Sequence, residues 1–143
     1  MVAAGRARSG AAPAPDYRIA VDRTVTVTEG ERTAVSLTVA ARAGYSISRD
    51  GPLTLSLSVD PDGAVSLPRS RYRRADAADA HAENPRFDLA LVAGAPGQAT
   101  LTIDAHFWVC ARRTCRPVHD RRQVRVTIQA KAPPPPPPDA GPR

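Results

Sequence analysis

Apolar and polar residues alternate along five stretches of the chain. In each stretch every second residue is valine, leucine, isoleucine, alanine or phenylalanine, and the residues between them are mostly serine, threonine or charged. A period of two places successive side chains on opposite faces of a strand, so each stretch predicts a strand with one buried face. The stretches cover residues 35–39, 53–59, 87–91, 101–109 and 124–128.

Turn-forming residues separate these stretches. Glycine, proline and aspartate cluster at residues 29–30, 50–52, 60–63 and 94–97, and such residues favour tight turns. About seven short strands with regular turns predict an all-β fold, an antiparallel β-sandwich. Because aromatic residues make up only 4% of the chain, we expect an aliphatic core in which Phe87 and Phe107 are the largest apolar residues.

The chain divides into one domain and two tails. We predict a disordered Ala/Pro-rich tail over residues 1–16, a β-sandwich domain over 17–130 and a Pro-rich tail over 131–143. Six consecutive prolines at 133–138 favour a polyproline II rod, as a stiff spacer or as a ligand for an aromatic groove. The polar stretch 69–85 breaks the alternation and predicts either a long excursion or one short helical turn.

The formal net charge is +6, and nearly all of the positive charge is arginine. The arginines are dispersed and few aromatic residues lie among them, so the composition does not favour a nucleic-acid-binding protein. The sequence has no apolar run of about 18 residues, which predicts no membrane span. No secretory signal is visible in the first fifteen residues. The cysteine pair nevertheless favours a periplasmic or secreted protein.

The two cysteines carry the distinctive chemistry of the chain. Strict alternation from Leu101 puts Trp108 and Cys110 on the face directed away from the core. Cys115 follows after four residues, close enough for a disulfide across a tight loop. Closing so short a loop stabilises a fold by only about 2 kcal/mol. Stability alone therefore does not explain the pair, and we expect Trp108 to shield Cys110 or to form a docking surface beside it.

Three arginines, Arg112, Arg113 and Arg116, lie close to the cysteines in the sequence. Neighbouring cations favour the thiolate, the form that attacks disulfides. We therefore predict a lowered pKa for at least one of the two cysteines, and assign the arginines and Trp108 to pKa tuning or docking.

Three interpretations of the pair remain open: a structural hairpin disulfide, a redox-active dithiol, and a metal site formed with His106 and His119. On a straight strand His106 and Cys110 lie about 13 Å apart, too far to share one ion, so the metal site is disfavoured. We accordingly predict no metal and no cofactor, and surface positions for both histidines. The sequence contains neither a C-x-x-C thioredoxin motif nor a G-x-S-x-G motif.

The stretch 99–128, ATLTIDAHFWVCARRTCRPVHDRRQVRVTI, resembles the amino-terminal periplasmic domain of the DsbD family of thiol:disulfide interchange proteins. In that family a strand ends in a cysteine, a short loop leads to a second cysteine followed closely by proline, and a final strand closes an immunoglobulin-like sandwich. Cys110, Cys115, Pro117 and residues 124–128 match those positions. The segment 43–55 is similar to the family's earlier strands.

The resemblance implies an immunoglobulin-like sandwich in which Cys110 and Cys115 are the redox couple. The pair would accept electrons from a membrane-embedded partner and pass them to periplasmic proteins through mixed disulfides. Residues 69–85 are a candidate for the family's capping loop. We therefore predict a monomeric thiol/disulfide exchange or redox-linked binding domain of the cell envelope, with periplasmic or membrane thiol-disulfide partner proteins. The alternative is a non-catalytic interaction module whose hairpin disulfide is purely structural.

Overall fold

The structure, a computed structural model, describes residues 16–132 and consists almost entirely of β-strands. One 3-10 helix, Arg74–Asp76, follows the seventh strand. The ten strands in this part of the chain are β1 Tyr17–Val21, β2 Thr24–Thr28, β3 Arg32–Ala41, β4 Ser46–Ile47, β5 Thr54–Asp60, β6 Val65–Ser66, β7 Arg71–Arg73, β8 Arg86–Ala93, β9 Gly97–Ala111 and β10 Thr114–Gln129.

The strands form two sheets that pack face to face. One sheet has the order β1-β3-β8-β6, and the other has the order β2-β10-β9-β5-β7, with β4 paired to the tip end of β9. Two facing sheets of this kind form an immunoglobulin-like β-sandwich, as the resemblance implied. Pairing is antiparallel except between β2 and β10, which run parallel. Alternation within each strand could not reveal this exception, because it records which face is buried and not the direction of the neighbouring strand.

The core consists of the alternating apolar positions of both sheets. All five predicted stretches correspond to strands, although Leu53 lies just before β5, and Phe87 and Phe107 are fully buried as expected. The Tyr72 hydroxyl accepts a hydrogen bond from the backbone N–H of Ala90, so a buried aromatic residue of β7 links the two sheets. The other fully buried large side chains are Leu37, Leu55, Leu89, Leu91, Leu101, Ile103, Val39, Val109, Val124 and Val126.

The β9–β10 hairpin is the longest feature of the fold and carries the cysteines. The two strands pair continuously from Ala111 and Thr114 at the tip to Gly97 and Ile128 at the far end. Residues directly opposite each other share a face. The outer face of this hairpin therefore carries two rows of side chains in register, and the cysteines end these rows.

The stretch 69–85 contains the short edge strand β7 and the 3-10 helix, so the prediction of one short helical turn is met and an additional strand is found. The predicted tails stay predictions, because residues 1–15 and the proline run at 133–138 lie outside the described residues. Within residues 16–132, the helices are too short and too polar to cross a membrane.

Candidate functional site

A disulfide joins Cys110 to Cys115 at the tip of the β9–β10 hairpin. The two residues are direct partners in the strand register, with an S–S distance of 2.03 Å and a Cα–Cα distance of 3.9 Å. Cys110 is partly buried, because Ser46 of β4 pairs with it on the side away from β10. Cys115 is exposed. One sulfur of the bridge therefore belongs to a residue flanked by strands on both sides, and the other belongs to a residue open to solvent.

The loop that the disulfide closes is as short as a hairpin allows. Arg112 and Arg113 alone connect Ala111 to Thr114. Arg112 has a φ of 55°, in the left-handed region, whereas Arg113 does not have a positive φ. Type II′ hairpin turns have positive φ at the first central position, which glycine usually occupies. An arginine at this position is strained, and its side chain is exposed at the tip of the molecule.

Replacing Arg112 by glycine is expected to stabilise the oxidised protein by about 0.5–1 kcal/mol. Glycine removes the left-handed penalty of about 1–2 kcal/mol, offset in part by its greater conformational freedom in the unfolded chain. Urea unfolding of the wild type and Arg112→Gly measures the difference. The matched control is Arg113→Gly, which has no positive φ to relieve and is expected to destabilise. Equal effects at both positions would show that the Arg112 backbone is not strained.

A shallow groove of about 340 Å³ lies beside the partly buried cysteine. Cys110 forms part of its wall, together with residues 46–50 of β4 and the following loop. Glu83, from the candidate capping loop 69–85, also lines the groove. The candidate capping loop thus approaches the neighbourhood of the disulfide through Glu83. No carboxylate or cation of this groove ion-pairs across it within the described residues.

Trp108 lies on the outer face of β9, as the alternation predicted, two residues before Cys110. It is directly opposite Pro117 of β10, and its side chain is 36% exposed. The loop after β4 covers one side of the ring, because a Cβ at Gly51 would lie only 3.0 Å from Cδ1 of the indole. Trp108 therefore supports the loop that borders the cysteine groove while it keeps an open aromatic surface.

The structure separates Arg116 from the other two predicted tuning residues. Arg116 is opposite Val109, whose side chain is in the core, so it lies on the other face of the hairpin from the disulfide. Its Nε donates to Asp16 at 2.9 Å. Arg112 and Arg113 remain at the exposed tip next to the bridge. The lowered cysteine pKa applies to the reduced form and stays a prediction.

The two histidines of the disfavoured metal site lie directly opposite each other, and both are exposed. Their rings stack with centroids 4.0 Å apart. His119 Nε2 is 3.3 Å from Asp104, which also accepts a hydrogen bond from Arg121. These contacts, the Arg121 hydrogen bond above all, hold the pKa of Asp104 below its usual value. Within residues 16–132, the histidines, cysteines and carboxylates do not assemble into a group able to hold a metal ion.

Sequence reasoning missed a polar cluster that ties β1 to β10. The Tyr17 hydroxyl donates to Asp120 at 2.6 Å, and Arg122 donates to the same carboxylate oxygen at 3.1 Å. Partial burial and the hydrogen bond to Asp120 raise the pKa of Tyr17 to about 12. Burial opposes ionisation of Asp120, but the hydrogen bonds from Tyr17 and Arg122 keep its pKa below the usual value. Tyr17 and Asp120 lie 103 positions apart in the sequence, so no local sequence pattern indicated their contact.

This cluster predicts a loss of stability at high pH. Tyr17 keeps its proton to about pH 12 in the fold, whereas a tyrosine in the unfolded chain ionises near pH 10. The contribution of Tyr17 to the free energy of unfolding is therefore complete below about pH 10 and is lost as the pH rises toward 12. Asp120 acts in the opposite range, since its lowered pKa stabilises the fold above about pH 4 and this contribution is lost on acidification.

Urea unfolding of the wild type and Tyr17→Phe across this range tests the alkaline effect. The wild type is expected to have a higher free energy of unfolding than Tyr17→Phe below about pH 10, and this difference is expected to disappear between about pH 10 and 12. Tyr45→Phe is the matched control, because the Tyr45 side chain is exposed at 36%. A difference in the free energy of unfolding between the wild type and Tyr17→Phe that does not change with pH would contradict the raised pKa of Tyr17.

Comparison with known proteins adds information about the fold only. No family model and no curated protein matches the sequence. Among solved structures, domains 4 and 5 of the S-layer protein SbsC align with a TM-score of 0.50 at 16% identity, over 79% of this chain. The alignment covers 45% of the SbsC chain, so the protein spans less than half of that relative. This likeness supports the β-sandwich.

Two fimbrial proteins of Escherichia coli align less closely. AggA, the major subunit of aggregative adherence fimbriae type I, is 14% identical over 79% of this chain and 94% of its own, with a TM-score of 0.38. The CooA pilin subunit from enterotoxigenic E. coli is 11% identical over 82% of this chain and 100% of its own, with a TM-score of 0.37. At these scores the two alignments carry no functional argument.

Proposed function

We propose that this protein is an exported, non-catalytic interaction module in which the Cys110–Cys115 disulfide fixes the tip of the β9–β10 hairpin as a binding surface. The observation that carries the proposal is the position of the bridge. The disulfide joins two directly opposite residues close to a two-residue turn. At this position it restrains the tip of the hairpin and little of the remaining sandwich. Arg112, Arg113 and Thr114 project from this restrained tip into solvent.

The strained turn supports a role for the tip in binding. Glycine fits a positive φ without penalty, yet the chain has Arg112 there with a φ of 55°. Strained backbone is concentrated at functional sites, where the side chain has a use that offsets the strain. Cationic residues on a rigid loop suit a partner with an acidic surface, because ordering the loop in advance reduces the entropy lost on binding.

Export is part of the proposal and rests on the disulfide. Disulfides persist in oxidising compartments and are rare in the cytosol. The structural likeness to an S-layer protein agrees with a location in the cell envelope or outside it, but it is a likeness of fold.

The reduction potential of the disulfide tests the non-catalytic role. Purified protein is equilibrated in thiol buffers of graded potential, and free thiols are trapped and counted. A structural disulfide is expected to have a potential below about −300 mV and to stay oxidised in glutathione buffers. A value near those of disulfide oxidoreductases, about −120 to −270 mV, would reject the non-catalytic role.

Thiol/disulfide exchange is the second candidate, and the exposure of Cys115 favours it. A partner thiolate would attack Sγ of Cys115, the Cys110–Cys115 bond would break, and Cys110 would leave as a thiolate. A second partner thiol would then release Cys115, so that the partner dithiol is oxidised and this pair is reduced. The adjacent cations Arg112 and Arg113 would stabilise the departing thiolate. The resemblance to the DsbD family supports this candidate through the same two cysteines.

Single cysteine variants distinguish the two candidates. Exchange predicts that Cys110→Ser, which leaves the exposed Cys115 thiol, forms mixed disulfides with an activated disulfide much faster than Cys115→Ser, which leaves the flanked Cys110 thiol. A thiol titration of both variants tests the predicted lowering of the cysteine pKa at the same time. If both variants form mixed disulfides equally slowly and their thiols have ordinary pKa values near 8.5, thiol/disulfide exchange is rejected and only the structural role remains.

A further inference from the structure

A second groove, of about 420 Å³, lies on the other side of the loop that follows β4. It is lined by Arg49 and residues 51–53 of the loop, by Thr54 of β5, and by Arg71, Arg73, Arg74 and Ala75. Four arginines line it, and a carboxylate does not appear among its lining residues. The four are Arg49, Arg71, Arg73 and Arg74, and we call this the arginine groove.

The strand register gives two of these arginines a shared direction. Arg73 is opposite Thr54 of β5, and Arg71 is opposite Ser56. The residue between them, Tyr72, is opposite Leu55 and is buried in the core. Arg71 and Arg73 therefore project from the outer face of the sheet, as exposed side chains two positions apart, with the Thr54 side chain beside them.

Arg74 differs from the other three because the fold holds it in place. Its guanidinium donates to the carbonyl oxygens of Ser48 at 2.9 Å and Ala82 at 3.4 Å, and its Nε is buried without an acceptor in the described part of the chain. Burial, followed by the charge of Arg49, lowers its pKa. Arg74 is thus a partly buried positive charge held in place in the lining of the groove, where solvent screens it less than the exposed arginines.

The carboxylate of Asp76 interacts electrostatically with Arg73, but within residues 16–132 it does not form an ion pair with a groove arginine. Asp76 forms its ion pair with Arg69, outside the groove, and its other oxygen accepts a hydrogen bond from the backbone N–H of Arg73. Within residues 16–132, none of the four groove arginines forms an ion pair with an aspartate or glutamate. Positive side chains gathered in a concave site concentrate anions from solution.

We propose that the arginine groove binds a doubly charged oxyanion of the phosphate class. Guanidinium groups present paired N–H donors that match the oxygens of a phosphate in a bidentate arrangement. Arg49, Arg71 and Arg73 would supply these donors, with Arg74 as a fixed charge in the same lining. Several arginines that form no ion pair within residues 16–132 favour a dianion over a single carboxylate, because the attraction grows with the charge of the ligand. The groove is separate from the disulfide, and this inference does not depend on the proposed function.

Titration with inorganic phosphate, followed by backbone and arginine side-chain NMR signals, tests the inference. Saturable shifts are expected at Thr54, Arg71 and Arg73, with acetate at the same ionic strength binding much more weakly. The Arg71→Gln/Arg73→Gln variant removes two guanidinium groups that form no ion pair within residues 16–132. Arg74 is left intact, because its hydrogen bonds hold two loops together.

The matched control is Arg18→Gln/Arg125→Gln, which changes the net charge equally at residues that do not line the groove. Affinity for phosphate is expected to fall about tenfold in the groove variant and to change less than about twofold in the control. Three results would overturn the inference: shifts that do not saturate, acetate binding equal to phosphate, or equal losses in both variants. Preserved signal dispersion shows that each variant is folded.

Discussion

Replacing Phe107 by alanine is expected to destabilise the fold by about 3–5 kcal/mol. Phe107 is 2% exposed and lies on the core face of β9, three residues before Cys110. Its ring meets that of Tyr17 edge to face at 5.2 Å, across the space between the two sheets. Truncation removes this contact and leaves a cavity that the surrounding strands only partly fill.

Urea unfolding measures the loss, which is a large part of the 5–15 kcal/mol typical of a domain. Phe107→Leu is the control, because it keeps most of the volume and should lose less than Phe107→Ala. A loss below about 1.5 kcal/mol for Phe107→Ala would mean that the Tyr17–Phe107 junction is loosely packed. The Tyr17–Asp120 hydrogen bond would then be the main link between β1 and β10.

Removing the disulfide with Cys110→Ser/Cys115→Ser is expected to cost about 2 kcal/mol and to leave the protein folded. The bridge closes a loop with a sequence separation of only 5, and short loops lose little conformational entropy when closed. The hairpin keeps its pairing below the tip, from Val109 and Arg116 to Gly97 and Ile128. Urea unfolding under oxidising conditions gives the difference from the wild type.

Reduction of the wild type by a phosphine is the control for this variant. Reduction breaks the same bond without replacing either cysteine, so reduction and the double serine substitution should lower the free energy of unfolding equally. A reduced wild type much less stable than the serine variant would point to a destabilising effect of the thiols themselves. Global unfolding of both would mean that the tip disulfide holds far more of the sandwich than its loop length indicates.

The alternation of apolar residues was enough to predict the long strands and the face on which Cys110 lies. In β9, every second residue from Ala99 to Val109 is buried, as the pattern requires. The signal was strong because the strand is long and one of its faces is fully covered. The short strands β4, β6 and β7 have two or three residues each, which is too few to show a period.

Contacts between distant segments explain most of what the sequence could not predict. The separation of Arg116 from the disulfide follows from the strand register and from Asp16, 100 residues away. The arginine groove likewise combines Arg49 with residues 71–74, which come together only because β7 pairs with β5. Sequence proximity placed Arg112, Arg113 and Arg116 together beside the cysteines, whereas the structure keeps Arg112 and Arg113 at the hairpin tip and puts Arg116 on the opposite face.

The parallel pairing of β2 with β10 also determines how the molecule would respond to a mechanical load. β1 begins beside Asp120 and Arg116, toward the hairpin tip, while β10 ends beside Glu29 at the opposite end of the sandwich. A force that pulls residues 17 and 129 apart acts along the strands. The β1–β3 and β2–β10 hydrogen bonds are then loaded in shear, so the bonds within each pair must break together and not one at a time.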